Sequence, residues 1–377
     1  MSDRAPIDSI RTLTFTVPTD APESDGTLAW EATTAVVVEI DAGEQTAIGW
    51  SYTAAGAAAV VEETLVDAVC GMSVLDTRAV YERMHREIRN FGTHGIAMAA
   101  LSAVDLAVWD AKARVLGVPL AALVGQARDG VRVYGSGGFT SYDDDRLRQQ
   151  VTGWVDDGID MVKVKVGRDP SVDSHRVDVV RNAIGDDTAL FVDANGAYSV
   201  SEATGWAQRF ADSGVTWLEE PVTSENLSGL ATIRDRAPST LDIAAGEYGD
   251  SRWVFDAMVG AGSVDVLQID ATRCGGITGF LDAAAIAAAH GIPVSAHCAP
   301  TMHLAPACAA PGLRHIEWFW DHTRLEPMLF DGVPEPVDGI LRPDLSVAGN
   351  GLSIKWPEAR HYERSSTNSR QSEGAMQ

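Results

Sequence analysis

MVKVKV, residues 161–166, reads as a β-strand with two lysines set among valines. Side chains alternate along a strand, so Lys163 and Lys165 share one side, and Val162, Val164 and Val166 the other. In a closed barrel one side is the interior, where a charge is costly unless it has a purpose, and the other faces helices, which suit lysine no better.

Seven more apolar runs accompany this one: Val131–Tyr134, Ala189–Val192, Thr216–Leu218, Leu241–Ala245, Val264–Ile269, Ile292–Ala296 and Arg314–Glu317. Seven helical segments separate the eight, among them Asp143–Asp156, Ser201–Ser213 and Ile277–His290. Alternating β and α units over about 200 residues predict an α/β fold with a parallel (β/α)₈ barrel of the TIM type. An open doubly wound sheet is the other arrangement this pattern allows. The first strand lacks the G-x-G-x-x-G fingerprint, which speaks against dinucleotide binding. The pattern upstream differs. Thr33–Ile40 and Ala47–Tyr52 read as strands, and Ala57–Cys70, Thr77–Ile88 and Gly95–Leu116 as helices, making a small α+β domain. The expected division is residues 1–129 for this domain, 130–340 for the barrel, 341–362 for a returning segment and 363–377 for a polar, disordered tail.

The C-terminal ends of barrel strands form the face that carries chemistry. Here Asp193, Glu219 and Glu247 close successive strands at intervals of one barrel unit. Three carboxylates so placed repel one another, and a hard divalent cation resolves the conflict. Oxygen-only donors suit Mg²⁺. Glu220 points away from Glu219 by alternation and reads as supporting. Two neighbouring ammonium groups lower each other's pKa, which suits Lys163 and Lys165 to proton abstraction. Asp270 and His297 end the next two strands, and a carboxylate beside an imidazole orients its ring and raises its basicity. Glu317 ends the last strand. Ser136, Asn195 and Arg273 are weaker candidates for substrate contact, while His303, Trp320 and His322 read as packing.

The chain is strongly acidic, with 29 Lys and Arg against 53 Asp and Glu and a net charge of −24. Such a surface repels nucleic acid and anionic membranes, and an anionic substrate then needs a local cation. With 45% hydrophobic residues the chain can build a large core. No signal-peptide pattern or 18-residue apolar stretch is present, and the four cysteines show no C-x-x-C spacing. A cytoplasmic protein with free thiols is expected.

VKVKVG, VDANGAYS, WLEEP, AAGE, LQIDATRCGG, SAHCAP and HIEWF follow one another at strand ends. Together they resemble the enolase superfamily, and its mandelate racemase subgroup in particular, over about residues 10–360. The resemblance implies Mg²⁺ on Asp193, Glu219 and Glu247. It makes Lys165 the base on one face of a small carboxylate substrate, with Lys163 neutralising that carboxylate. It makes His297, held by Asp270, the acid/base on the other face, and Glu317 the partner of a carboxylate oxygen. The first domain becomes a cap, with Pro18–Thr27 and the segment after Trp50 closing over the substrate. Subgroups with a catalytic lysine where this chain has Asp270 are disfavoured. Through one enediolate the site would dehydrate an aldonate or aldarate to a 2-keto-3-deoxy acid, or, alternatively, racemise or epimerise a 2-hydroxy acid. A homo-oligomer, dimer or octamer, is implied. A catalytically inactive barrel that serves as a binding protein is the alternative of a different kind.

Overall fold

The computed structural model describes residues 5–368. Three antiparallel strands open the chain: β1 (Ser9–Ser24), β2 (Ala29–Ala42) and β3 (Gln45–Tyr52). The β1–β2 pairing breaks between Pro18 and Glu23, where the chain arches away from the sheet. The helix Ile96–Leu116 packs against this sheet. It is buried nearly all round, since its other side meets the barrel helix Gly276–Ala289. Its alanines permit that closeness: a Cβ on Gly49 of β3 would lie 2.3 Å from Ala103 O and 2.4 Å from Ala107 N. Gly117, at φ 69°, ends the helix in the left-handed conformation that glycine adopts without strain.

Eight parallel strands follow: β4 (Val131–Gly137), β5 (Met161–Lys165), β6 (Ala189–Asp193), β7 (Val215–Glu219), β8 (Asp242–Ala245), β9 (Val266–Ile269), β10 (Val294–Ala296) and β11 (Leu313–Phe319). Each pairs with the next, and β11 returns to β4 with Glu317 opposite Tyr134 and Phe319 opposite Ser136, so the sheet closes. The fold is a (β/α)₈ barrel with an N-terminal α+β cap. Helix starts are capped by the side chains the sequence supplies, including Asp143, Asp169, Asn226, Ser251 and a full capping box of Ser199 with Glu202. Inside the barrel, Tyr134, Met161, Phe191, Trp217, Ala244 and Val266 form an apolar floor. Two residues further along the same strands come Ser136, Lys163, Asp193 and Glu219. The period of the strands therefore lifts the charged side chains onto a dry platform.

Two elements differ from the sequence reading. β1 is a full strand, although SIRTLTFTVPTDAPES mixes polar and apolar residues too evenly to announce one. The expected disordered tail begins instead with a strand, Glu363–Asn368, paired antiparallel with β1; residues 369–377 lie outside the described part. A Ser- and Thr-rich segment can serve there because a sheet edge asks mainly for backbone pairing. Before it, residues 341–362 run along the cap, with Asn350 Nδ2 donating to Ile48 O at 3.0 Å and Arg11 over the Trp356 ring.

Candidate active site

Strand register sets Lys165 beside Asp193, and Asp193 beside Glu219. Glu247 lies two residues beyond β8. Asp193, Glu219 and Glu247 each offer a carboxylate oxygen within 4.8 Å of the other two, and all three are buried. Burial and then the Asp193 charge push the Glu219 carboxyl well above the usual carboxylate range. Glu247 Oε2 is buried without a hydrogen-bond partner and has His297 Nε2 3.3 Å away. Converging oxygens, one of them unpaired, fit a hard divalent cation.

Lys163 Nζ contacts Glu219 Oε1 at 2.5 Å, Glu317 Oε1 at 2.8 Å and Asp193 Oδ2 at 3.6 Å. Lys165 Nζ contacts Asp193 Oδ2 at 2.6 Å. Burial pulls the Lys165 ammonium down and Asp193 pulls it up; Lys163 pulls it down, but the sum lies above the ordinary lysine value. The mutual depression expected from two neighbouring lysines is present, and the carboxylates outweigh it.

Across the barrel mouth, His297 Nδ1 lies 2.9 Å from Asp270 Oδ2. Asp270 also accepts from the Thr272 N–H and hydroxyl, each at 2.7 Å. Burial alone would raise this carboxyl, but the hydrogen bond and charge of His297 hold it well below the carboxylate range. The cap adds a third member that the sequence reading did not single out: Tyr52 Oη lies 3.0 Å from Asp270 Oδ2 and 3.2 Å from His297 Nδ1. Glu317 receives Ser136 Oγ at 2.6 Å and Lys163 on Oε1, and the Cys298 N–H at 3.0 Å on Oε2. Ser136 is thus fully buried beneath Glu317, away from the cavity residues, and positions that carboxylate.

A cavity of about 320 Å³ joins these groups. Lys165, Glu247, His297, Glu317, Asn195 and Arg273 reach it from the barrel. Arg273 is stacked between Tyr52 and Tyr248, at 4.7 and 4.6 Å from the ring centres, with Nη1 3.2 Å from Glu247 O. Asn195 holds a left-handed φ of 45° and buries its Oδ1 without a partner. The apolar wall is Leu28 and Trp30 from the cap with Phe319 from β11. His322, read as packing, also borders the cavity; it is neutral, since burial lowers its pKa to about 3 and its Nδ1 accepts the Ala299 N–H. His303 accepts the Ala271 N–H at 2.7 Å, as a structural side chain does. Trp320 lies outside the cavity residues and reaches Asp20.

The cap arch rests on the strand ends. A Cβ on Gly26 would lie 2.2 Å from Ala194 O and 2.9 Å from Val166 O, so only glycine fits. Thr27 Oγ1 donates to Asn195 O, the Thr140 N–H to Ser24 O, Ser141 Oγ to Pro22 O, and Arg324 to Pro18 O.

Cys298 was also missed. Alternation argues that its side chain points away from that of His297, but its backbone is left-handed, with φ 53°. The thiol turns back to lie 3.3 Å from His297 Nε2 and 3.4 Å from Glu317 Oε2.

Comparison with known proteins agrees with this arrangement. Residues 146–360 match the family model described as enolase C-terminal domain-like. Residues 10–125 match that of the mandelate racemase / muconate lactonizing enzyme N-terminal domain. The D-galactarolactone cycloisomerase of Agrobacterium fabrum is 30% identical over 297 residues, covering 77% of this chain and 78% of that protein. The L-talarate/galactarate dehydratase of Salmonella typhimurium is 33% identical over 279 residues, 72% of this chain and 70% of that protein. Among solved structures, a mandelate racemase/muconate lactonizing enzyme-like protein from Rubrobacter xylanophilus is 46% identical with a TM-score of 0.94, over 95% of this chain and all of that one. The Salmonella dehydratase, solved with Mg and L-lyxarohydroxamate, superposes with a TM-score of 0.89 at 28% identity, over 97% of this chain and 95% of that one.

Proposed function

This chain belongs to the mandelate racemase / muconate lactonizing enzyme family, and from that premise we propose that it abstracts the proton next to a substrate carboxylate and dehydrates an aldonate or aldarate sugar acid to a 2-keto-3-deoxy acid. The observation that carries the proposal is that Lys165 and His297, the latter held by Asp270, reach one cavity that Glu247 of the carboxylate triad also borders.

Asp193, Glu219 and Glu247 would hold Mg²⁺, which supplies positive charge to a substrate carboxylate and to the enediolate formed from it. With a cation on the triad, Asp193 would no longer fix the proton on Lys165, and the amine would be available as base. Lys163 supplies a fixed positive charge near the same oxygens, and Glu317 would have to carry a proton to donate to the carboxylate oxygen where negative charge grows. His297, oriented through Nδ1 by Asp270, borders the cavity and would use Nε2 to protonate a leaving β-hydroxyl. The relatives that bear the names of sugar-acid dehydratases and cycloisomerases support this class of reaction. Racemisation of a 2-hydroxy acid is the second reading. It is favoured by the apolar wall of Leu28, Trp30 and Phe319, which suits a substituent poorer in hydroxyls than a sugar acid.

Proton NMR in D₂O tests both. The protein with Mg²⁺ is incubated with a panel of sugar acids and 2-hydroxy acids, alongside EDTA, Lys165→Ala and His297→Asn controls. A 2-keto-3-deoxy product that the controls fail to form supports dehydration. Exchange or inversion at the α-carbon alone moves the assignment to the racemase reading, and no solvent exchange with any acid rejects proton abstraction.

A further inference from the structure

We propose that His297, Cys298 and Glu317 form a second cation site, selective for a thiophilic divalent ion of the Zn²⁺ class and distinct in donor chemistry from the neighbouring all-oxygen triad, whose Glu247 Oε2 lies 3.3 Å from the same Nε2. Three observations converge on it. The ligand atoms form a triangle: Nε2 to Sγ is 3.3 Å, Sγ to Oε2 is 3.4 Å and Nε2 to Oε2 is 3.6 Å. With bond lengths of about 2.0–2.3 Å to nitrogen, oxygen and sulfur, neighbouring ligands of a tetrahedral zinc lie roughly 3.3–3.6 Å apart. The triangle is thus one face of such a tetrahedron.

Each ligand is also held by its other end. His297 presents Nδ1 to Asp270 Oδ2 at 2.9 Å, the arrangement that fixes ring and tautomer in metal-binding histidines. Glu317 Oε1 is taken by Lys163 and Ser136, and Oε2, which accepts the Cys298 N–H, faces the nitrogen and the sulfur. Cys298 reaches the same point only through its left-handed backbone, a conformation that strains residues other than glycine. Adjacent strand residues diverge; these two converge.

The donor chemistry separates the two sites. Nitrogen, sulfur and oxygen together favour zinc over magnesium, while the triad offers oxygen alone. Both His297 and Cys298 border the cavity, so a fourth position opens towards water or substrate. The thiol gives its proton to solvent as the ion binds. A filled site ties up Nε2, and so excludes proton transfer there.

Cobalt(II) added to the Mg²⁺-saturated protein reports sulfur ligation directly, through thiolate-to-cobalt charge transfer in the near ultraviolet. A band that saturates at one cobalt per chain is expected, displaced by Zn²⁺, lost in Cys298→Ser and kept in Cys308→Ser and Asp193→Asn. Absence of the band in the unaltered protein overturns the proposal, as does a band that survives Cys298→Ser. Should Cys298→Ser not fold, His297→Asn, which keeps the thiol and removes the nitrogen, weakens cobalt binding at least tenfold; unchanged binding rejects the site.

Discussion

Among the described residues, Tyr52 is the cap side chain that hydrogen-bonds the His297–Asp270 pair, so its hydroxyl links the cap to the proton-transfer machinery. A hydrogen bond to a charged buried carboxylate contributes about 1.5–3 kcal/mol. Tyr52→Phe is accordingly expected to lower kcat roughly tenfold or more while KM changes little, checked by steady-state kinetics on whichever acid the NMR screen identifies. Unchanged kcat would show that Asp270 is held well enough by Thr272 alone. The lysines, Asp193, Glu219 and Glu317 were legible in the sequence because a strand's two-residue period fixes where each side chain points, and Glu247, which lies beyond its strand, through its spacing of one barrel unit. Tyr52 was not, since its position depends on how a separate domain docks. Cys298 was not, because a left-handed residue reverses the alternation, and nothing in SAHCAP encodes that reversal.

At the scale of elements, the Pro18–Thr27 arch is positioned by backbone contact rather than by side-chain packing. Gly26→Ala puts a methyl group into Ala194 O and Val166 O and lifts the arch off the strand ends. The substitution is expected to raise KM by tenfold or more and to leave thermal denaturation of the barrel nearly unchanged, since the core lies elsewhere. A normal KM would mean that the arch accommodates the methyl group by moving as a unit. The eight barrel strands could be read from the sequence because each is an apolar run between helical repeats. β1 and the strand Glu363–Asn368 could not, because β1 mixes polar with apolar residues, Glu363–Asn368 is polar throughout, and the two pair with each other from opposite ends of the chain.

For the whole molecule, buried titratable groups set the pH range of greatest stability. Burial pushes the Asp105 carboxyl up to about 7, and those of Glu23 and Glu326 up to about 8, so the folded chain holds protons that the unfolded chain releases from about pH 4 upward. Their contribution is complete below that pH and is lost as pH rises through 7 and 8. Buried His315 and His322, lowered to about 3, act oppositely: the unfolded chain takes up protons below about pH 6.5 and the folded chain does not. Thermal denaturation with Mg²⁺ across pH 5–9 should therefore show stability falling from pH 5 to about pH 8, because the three raised carboxyls outnumber the two lowered histidines. Asp105→Asn should flatten this fall, adding on the order of 2–4 kcal/mol at pH 8; an unaltered fall would clear Asp105 of the effect. The hydrogen-bonded arch carries a consequence of another kind. An arch that opens for substrate and product would swing through solvent, and turnover is then expected to follow the friction of the medium. Sucrose or glycerol would then slow the enzyme in proportion to viscosity, and the Gly26→Ala variant, with its arch already raised, would lose that drag.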